Sequence, residues 1–287
     1  MGAAIVATRF VVAEVPPLTL AMLRYGIGLA CLLPFASTSV KALALAARAE
    51  GGRLVAKDLL AIAALGIGQF GVLIALLNWG LQHIGAAPAA LIFSMFPLLT
   101  LLLAAALGQE RITRTLLLGV LLSIGGVALA LSPKLGVAHG GHWWGELAVA
   151  GAACTGALCS VLYRPYLRRL PTLPVSALAM LASVCVLAVL ALSEDWPGRI
   201  GQFSAQAWAV VAFIGVSSGV GYYAWLHALK HESATRVTVF LALNPVTAAL
   251  LGWALLGEAL HSTAWGALAL IAAGLWLATR RGIISRS

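Results

Sequence analysis

Apolar residues run through this chain in blocks of roughly twenty, and the polar residues fall almost entirely in the short gaps between them. The blocks lie near 2–14, 18–36, 58–80, 87–107, 115–132, 143–163, 174–193, 206–229, 235–256 and 263–280. About 20 apolar residues let a helix cross a bilayer core of about 30 Å, so the pattern predicts ten transmembrane helices. The first block is short. The residues before Glu14 rise only about 18 Å as a helix, which predicts that the native first helix extends upstream of Met1.

A second pattern lies over the first. The segments PLLTLLLAAALGQE (97–110) and PVTAALLGWALLGE (245–258) each set a proline thirteen residues before a glutamate. Shifting the chain by 148 residues superposes 65–131 on 213–279 without a gap and pairs Gly71 with Gly219, His83 with His231, Pro97 with Pro245, Glu110 with Glu258 and Gly126 with Gly274. The expected organisation is therefore two five-helix repeats, 1–134 and 143–287. Five is odd, so the second repeat is inverted relative to the first. The expected fold class is an all-α polytopic membrane protein of ten transmembrane helices in two inverted five-helix repeats. Such repeats place a substrate site near the membrane midplane and allow alternating access, which points to a transporter.

Composition agrees. The chain is 62% hydrophobic and 9% charged, with a mean hydropathy of +1.00, and it cannot clothe itself in polar surface. The net charge of +9 reports topology instead of a nucleic-acid partner, because the cations sit in short connections and form no patch interleaved with aromatics. An inside N-terminus puts fourteen of the eighteen Lys and Arg in the cytoplasm; Lys134 and Arg199 fall outside, and Arg9 and Arg24 lie within spans. The positive-inside rule thus predicts cytoplasmic termini. No signal-peptide pattern opens the sequence. Cys31, Cys154, Cys159 and Cys185 lie in apolar runs without CxxC spacing and read as small core residues, and the HxxH of His139 and His142 is a weak metal signal. No cofactor or metal is expected.

Several of these stretches resemble a known family. EVPPLTLAMLRY (14–25), the two proline-to-glutamate segments, and the glycine-containing fifth and tenth spans GVLLSIGGVALAL (119–131) and GALALIAAGLWLA (266–278) look like the drug/metabolite transporter superfamily. Within it they resemble the ten-helix branch built from two EamA-type halves, with its aromatic amino acid exporters as one candidate branch. The resemblance covers nearly the whole chain and implies a bacterial inner-membrane exporter of small metabolites, often amino acids. Members usually carry more residues before the position of Met1, in keeping with the short first block.

Polar side chains inside spans are the candidate chemistry. Arg9 either holds a substrate carboxylate or reaches the interface along a short helix. Arg24 is a helix-end cation that snorkels to the interface, a structural tie to Glu14, or a site residue. Glu110 and Glu258 end spans and read as anchors, and Glu146, beside Trp143 and Trp144, reads as interfacial. In the third span Gly71, Ala75, Asn78, Trp79 and Gln82 share a helical stripe; in the eighth, Gly219, Tyr222, Tyr223, His227 and Lys230 do. These stripes are either packed interfaces or walls of one cavity, in which Trp79 and His227 approach each other near the midplane. As walls they would offer apolar faces from Trp79, Tyr223 and Trp225 and hydrogen bonds from Asn78, Tyr222 and His227. Phe93, Ser94, Phe240 and Asn244 join from the fourth and ninth spans, while Thr155, Ser160 and Tyr163 make the sixth a weaker wall. Leu117 and Leu268 are expected to face lipid.

The expected partners are a small-molecule substrate and the bilayer. The leading function is export of amino acids, aromatic ones favoured; the alternative is a drug or nucleotide/sugar-phosphate transporter, which would need several cavity cations to match a dianion. An intramembrane enzyme would need a nucleophile with its base or a metal motif, and no HExxH occurs.

Overall fold

A computed structural model describes residues 11, 14–49, 53–84, 86–135, 143–244, 247 and 263–279, and nearly all of these are helical, without a strand among them. In chain order the elements are α1 (Pro17–Ala49), α2 (Arg53–Gly66), a π-helical turn (Ile67–Val72), α3 (Leu73–His83), α4 (Ala86–Phe93), α5 (Phe96–Ala106), α6 (Arg114–Leu135), α7 (Trp143–Arg169), α8 (Thr172–Leu190), α9 (Trp196–Arg199), α10 (Ala205–His231), α11 (Ala234–Val239) and α12 (Thr263–Thr279). Every apolar block from 18–36 through 206–229, and the last at 263–280, falls on helix. Most of the block at 2–14, half of 235–256, Arg9, His139, His142 and Glu258 lie outside the described residues.

Among the described residues, six runs are long and apolar enough to cross a membrane: Pro17–Phe35, Ala56–Leu81, Ala89–Ala106, Trp143–Arg169, Thr172–Glu194 and Ala205–His231; Arg114–Ala130 and Trp265–Thr279 are shorter apolar helices. Only 28% to 56% of each long window is buried, so each keeps an apolar face that water would penalise and lipid would not. The exposed side chains include Phe35, Leu60, Val72, Leu118, Phe213 and Trp265.

Two helix boundaries differ from the hydropathy pattern. The pattern ends the second block at 36, whereas α1 continues to Ala49. Hydropathy falls there, but KALALAARA holds no breaker and is rich in strong helix formers. The block at 87–107 is broken at Ser94–Met95, where the Ser94 hydroxyl turns back to the Leu91 carbonyl (2.6 Å). Pro97 has no N–H to give the carbonyl four residues earlier, so an uninterrupted helix would lose a bond there.

The chain divides into two compact units, each drawing on both halves of the sequence: Ala3–Asn78 with Leu162–His231, and Trp79–Val161 with Glu232–Ser287. In the first unit, α1 packs on α8 and α10, and α2 on α8. Glycine permits these approaches. A Cβ on Gly219 would lie 2.8 Å from Gly28 Cα, and one on Gly66 2.7 Å from Ala179 Cα. Two carboxylates close helix N-termini. Glu194 accepts from Leu18 N (3.0 Å), Thr19 N (2.7 Å) and Thr19 Oγ1 (2.8 Å) at the start of α1. Glu14 accepts from Ser204 N and, at 2.9 Å, from Ser204 Oγ, just before α10. Free N–H groups and the positive end of the helix dipole favour an anion at both places. Glu14 is thereby engaged as a cap, and the tie to Arg24 does not form.

In the second unit α6 and α12 pack along their lengths. A Cβ on Gly119 would stand 2.6 Å from Gly274 O and Ala278 N, and one on Gly126 2.6 Å from Ile271 Cγ1 and 3.0 Å from Ala267 O. The partner number falls as the α6 number rises, so the helices are antiparallel. The 148-residue shift carries 119 to 267 and 126 to 274, which makes Gly126–Ala267 and Gly119–Gly274 one contact formed twice. The first unit has a similar pair. LAML occurs at 20–23 and at 178–181, a shift of 158, which carries 28 to 186. Gly28 meets Gly219, and Gly71, the mate of Gly219, meets Val186 Cγ1 at 3.5 Å from its would-be Cβ.

Leu117 and Leu268, expected to face lipid, are half-buried. Leu117 packs against the cluster of Leu101, Leu116, Val120, Val239 and Ala278, and Leu268 against Val127, Ala242 and Ile271. One residue turns a helix by about 100°, and it is Leu118, 54% exposed, that points outward.

Candidate functional site

A string of aromatic rings crosses the first unit. It starts at Arg24, seven residues into α1 and therefore about 10 Å along it at 1.5 Å per residue. The guanidinium folds over its neighbour: Nη2 donates to Tyr25 Oη (2.9 Å), and Cζ stands 4.8 Å from the centre of the Tyr25 ring. The Tyr25 ring, almost wholly buried, lies 4.3 Å from Phe70. Phe70 meets Tyr222 edge-on at 4.5 Å and 78°, and the Tyr222 hydroxyl donates to that of Tyr163 (3.0 Å). Four elements thus contribute: α1, the π-helical turn, α10 and α7.

The π-helical turn explains how Phe70 reaches both tyrosines. Its i→i+5 bonding widens the backbone and rotates later side chains relative to an α-helix, and such turns recur at functional sites. GIGQFG supplies the low-propensity glycines that accept it. Beside Phe70, the Gln69 side chain has a buried Oε1 with no hydrogen-bond partner, and Arg24 has a buried Nε in the same state. Among the described residues of this unit these are the two such side-chain atoms: one acceptor and one donor. No described carboxylate pairs with Arg24; Glu14 and Glu194 cap helices, and Asp58 faces Arg169 at 3.5 Å.

Of the side chains singled out from the sequence, Tyr222 belongs to this string, and Tyr163 joins it from α7. Tyr223 and His227 form a different stack with His231 on α10, with ring centres 5.9 Å and 4.6 Å apart in succession. The α10 stripe therefore divides: Gly219 and Tyr222 turn inward, Tyr223 is half-buried and His227 exposed. Lys230 donates to the Leu170 carbonyl (3.3 Å). Asn78 and Trp225 are half-buried in the same unit. In the second unit Trp79, 44% exposed, lies 4.4 Å from the His83 ring, and Phe93 lies 5.5 Å from Phe96. Phe240 is exposed and Asn244 half-buried, with its carbonyl accepting from Thr247 Oγ1 (3.0 Å). Thr155 and Ser160 bond the carbonyls of their own helix at 2.8 Å each. Trp143 and Trp144 are exposed and stacked at 3.7 Å. Glu110 anchors the first turn of α11 by accepting from Thr235 N (3.2 Å).

Tyr25, Gln69 and Phe70 escaped the sequence analysis. A lone amide among glycines in the middle of an apolar block was the available signal.

Helices of this length, apolar on their outward faces and seamed by glycine inside, define a multi-pass membrane protein. The chain belongs to the EamA-like transporter family, whose model matches it twice, over residues 1–132 and 143–280. An uncharacterized transporter of Archaeoglobus fulgidus is 26% identical over 98% of this chain and 95% of its own length. A Streptantibioticus cattleyicolor protein named "Probable terminal-alkyne amino-acid exporter" is 30% identical over 93% of this chain and 88% of its own. A solved crystal structure shares the fold with a TM-score of 0.76 at 24% identity, covering 97% of this chain and 94% of that one.

Proposed function

We propose that this transporter exports small metabolites across the inner membrane, amino acids foremost and aromatic ones among them, by alternating access between two inverted five-helix repeats, with both ends of the sequence cytoplasmic. The observation that carries this is the aromatic string ending in a guanidinium that no described carboxylate neutralises. Rings suit an apolar side chain and an unpaired cation suits one carboxylate. The 30% identical relative supports the same substrate class through its printed name. A phosphate dianion is served less well, because it calls for several converging cations and the string has one.

The test is uptake into proteoliposomes of labelled amino acids, nucleosides and sugar phosphates. Amino-acid flux above the protein-free background is expected. Absence of flux for every class would refute an exporter, and flux confined to sugar phosphates would replace the substrate. Topology is checked separately: a reporter fused after Arg286 should be active only on the cytoplasmic side.

A further inference from the structure

The two unpaired atoms of the first unit complement the two ends of an amino acid. Arg24 Nε is a buried donor on a cation, and Gln69 Oε1 is a buried acceptor on a neutral amide. A hydrogen-bonding atom left unmatched in a low-dielectric interior costs free energy, and a cation inside a span costs more. Such atoms call for a ligand that brings the opposite groups. Arg24 lacks an anion, and Gln69 lacks a donor. The rings link the two residues: Arg24 lies on Tyr25, Tyr25 on Phe70, and Phe70 follows Gln69 on the π-helical turn.

We infer that Arg24 and Gln69 are the two poles of a zwitterion site, with Arg24 taking the α-carboxylate of an amino acid and Gln69 Oε1 accepting from its α-ammonium. This rests on the amino-acid reading above and deepens it by assigning residues to the two charges. Tyr25 Oη, which accepts from Arg24 Nη2, keeps its own proton to give to the same carboxylate. Discrimination at each pole follows from the orphan atoms: a substrate lacking the matching group leaves a buried donor or acceptor unmet, and sites built this way reject such analogues strongly. Neither pole depends on the side chain of the amino acid, so specificity for the side chain is a separate matter.

The test compares three probes, L-phenylalanine, L-phenylalaninamide and 3-phenylpropanoate, the last two lacking the carboxylate and the ammonium respectively. Binding to purified protein in detergent is measured alongside flux in proteoliposomes. The wild type should bind phenylalanine roughly ten- to a hundredfold more tightly than either analogue, the worth of one hydrogen bond to a charged group. Arg24→Gln should erase the preference over the amide and keep the preference over 3-phenylpropanoate. Gln69→Leu should do the converse, and Arg24→Lys should recover part of what Arg24→Gln loses. If both variants keep the wild-type order while phenylalanine is still carried, the zwitterion site is wrong and the exporter stands. If the wild type binds phenylalanine in this pattern but moves none of the three, the exporter is wrong and the site stands. Should Arg24→Gln fail to fold, Gln69→Leu decides alone, and an unchanged order there overturns the site.

Discussion

The α6–α12 seam of the second unit and the aromatic string of the first are both buried inside apolar helices, yet they are built in opposite ways. The seam brings backbone to backbone through Gly119, Gly126 and Gly274, and its hydroxyl, Ser123, is spent on the Gly119 carbonyl of its own helix (2.9 Å). The string joins four elements through large rings and pairs the Tyr222 and Tyr163 hydroxyls between elements, with two polar atoms beside it left unmatched. A seam of this kind is intolerant of volume and indifferent to solutes. The string has polar valence to offer and rings that keep their places when one atom is removed.

The sharpest way to break this contrast is to add volume to the seam. Gly119→Leu drives its Cβ to within 2.6 Å of backbone on α12, and backbone gives way less readily than a side chain, so a loss of about 3 kcal/mol is expected. Gly125→Leu, six positions further along the same helix, meets nothing within 4 Å and should be near neutral. Thermal unfolding of the two purified variants in one detergent compares them. Equal melting temperatures would show that the seam is not what holds α6 to α12.

Next in size is the cap on α1. Glu194→Ala removes the acceptor for two backbone N–H groups and a hydroxyl at a single helix start. A loss of about 2 kcal/mol is expected, the upper end for a cap, because apolar surroundings offer those donors little else. Glu194→Gln should recover part of it by keeping an acceptor while giving up the charge. A melting temperature for Glu194→Ala equal to the wild type would contradict the cap.

The first unit also shows what was legible in the sequence and what was not. Block length located the helices because hydropathy alone sets a span, and the 148-residue shift marked the glycines of the seam because close approach admits few other residues. The extension of α1 to Ala49 was hidden since a helix need not stop where hydropathy does. The string was half visible. Tyr222 stood out as a polar ring on α10, whereas Gln69 and Phe70 were hidden because a stripe assumes 100° per residue and the π-helical turn at Ile67–Val72 breaks that rule between Phe70 and Asn78; Tyr25, on α1, lies outside either stripe. Likewise Tyr223 and His227 were grouped with Tyr222, but 3.6-residue spacing separates adjacent positions onto different faces.

Removing one oxygen from the string is a milder change. Tyr222→Phe deletes the hydroxyl that donates to Tyr163 and keeps the ring against Phe70. The expected cost is about 1 kcal/mol, the net worth of a hydrogen bond between neutral groups. Tyr222→Ala, which removes the ring, should cost several times as much. If Tyr222→Phe and Tyr222→Ala melt together, the ring is not packed as the string requires.

The smallest effect concerns the two glutamates that end the repeated segments. Glu110 lends one oxygen to Thr235 N in the first turn of α11, while its other oxygen and the Thr235 hydroxyl are buried and unmatched. The carboxylate therefore acts on the helix end largely through its charge. Glu110→Gln keeps an acceptor and loses that charge, so about 0.5 kcal/mol is expected, the scale of a dipole interaction at a helix terminus. The 148-residue shift that carries Glu110 to Glu258 also carries Ala87, in the first turn of α4, to Thr235. Glu258 lies outside the described residues, and the repeat predicts that Glu258→Gln destabilises to the same small extent and that the double variant is additive. Paired melting curves of the two single variants and the double variant measure it. A Glu258→Gln loss several times that of Glu110→Gln would mean that the second glutamate does something the first does not, and the likeness of the two segments would then be a likeness of sequence without one of role.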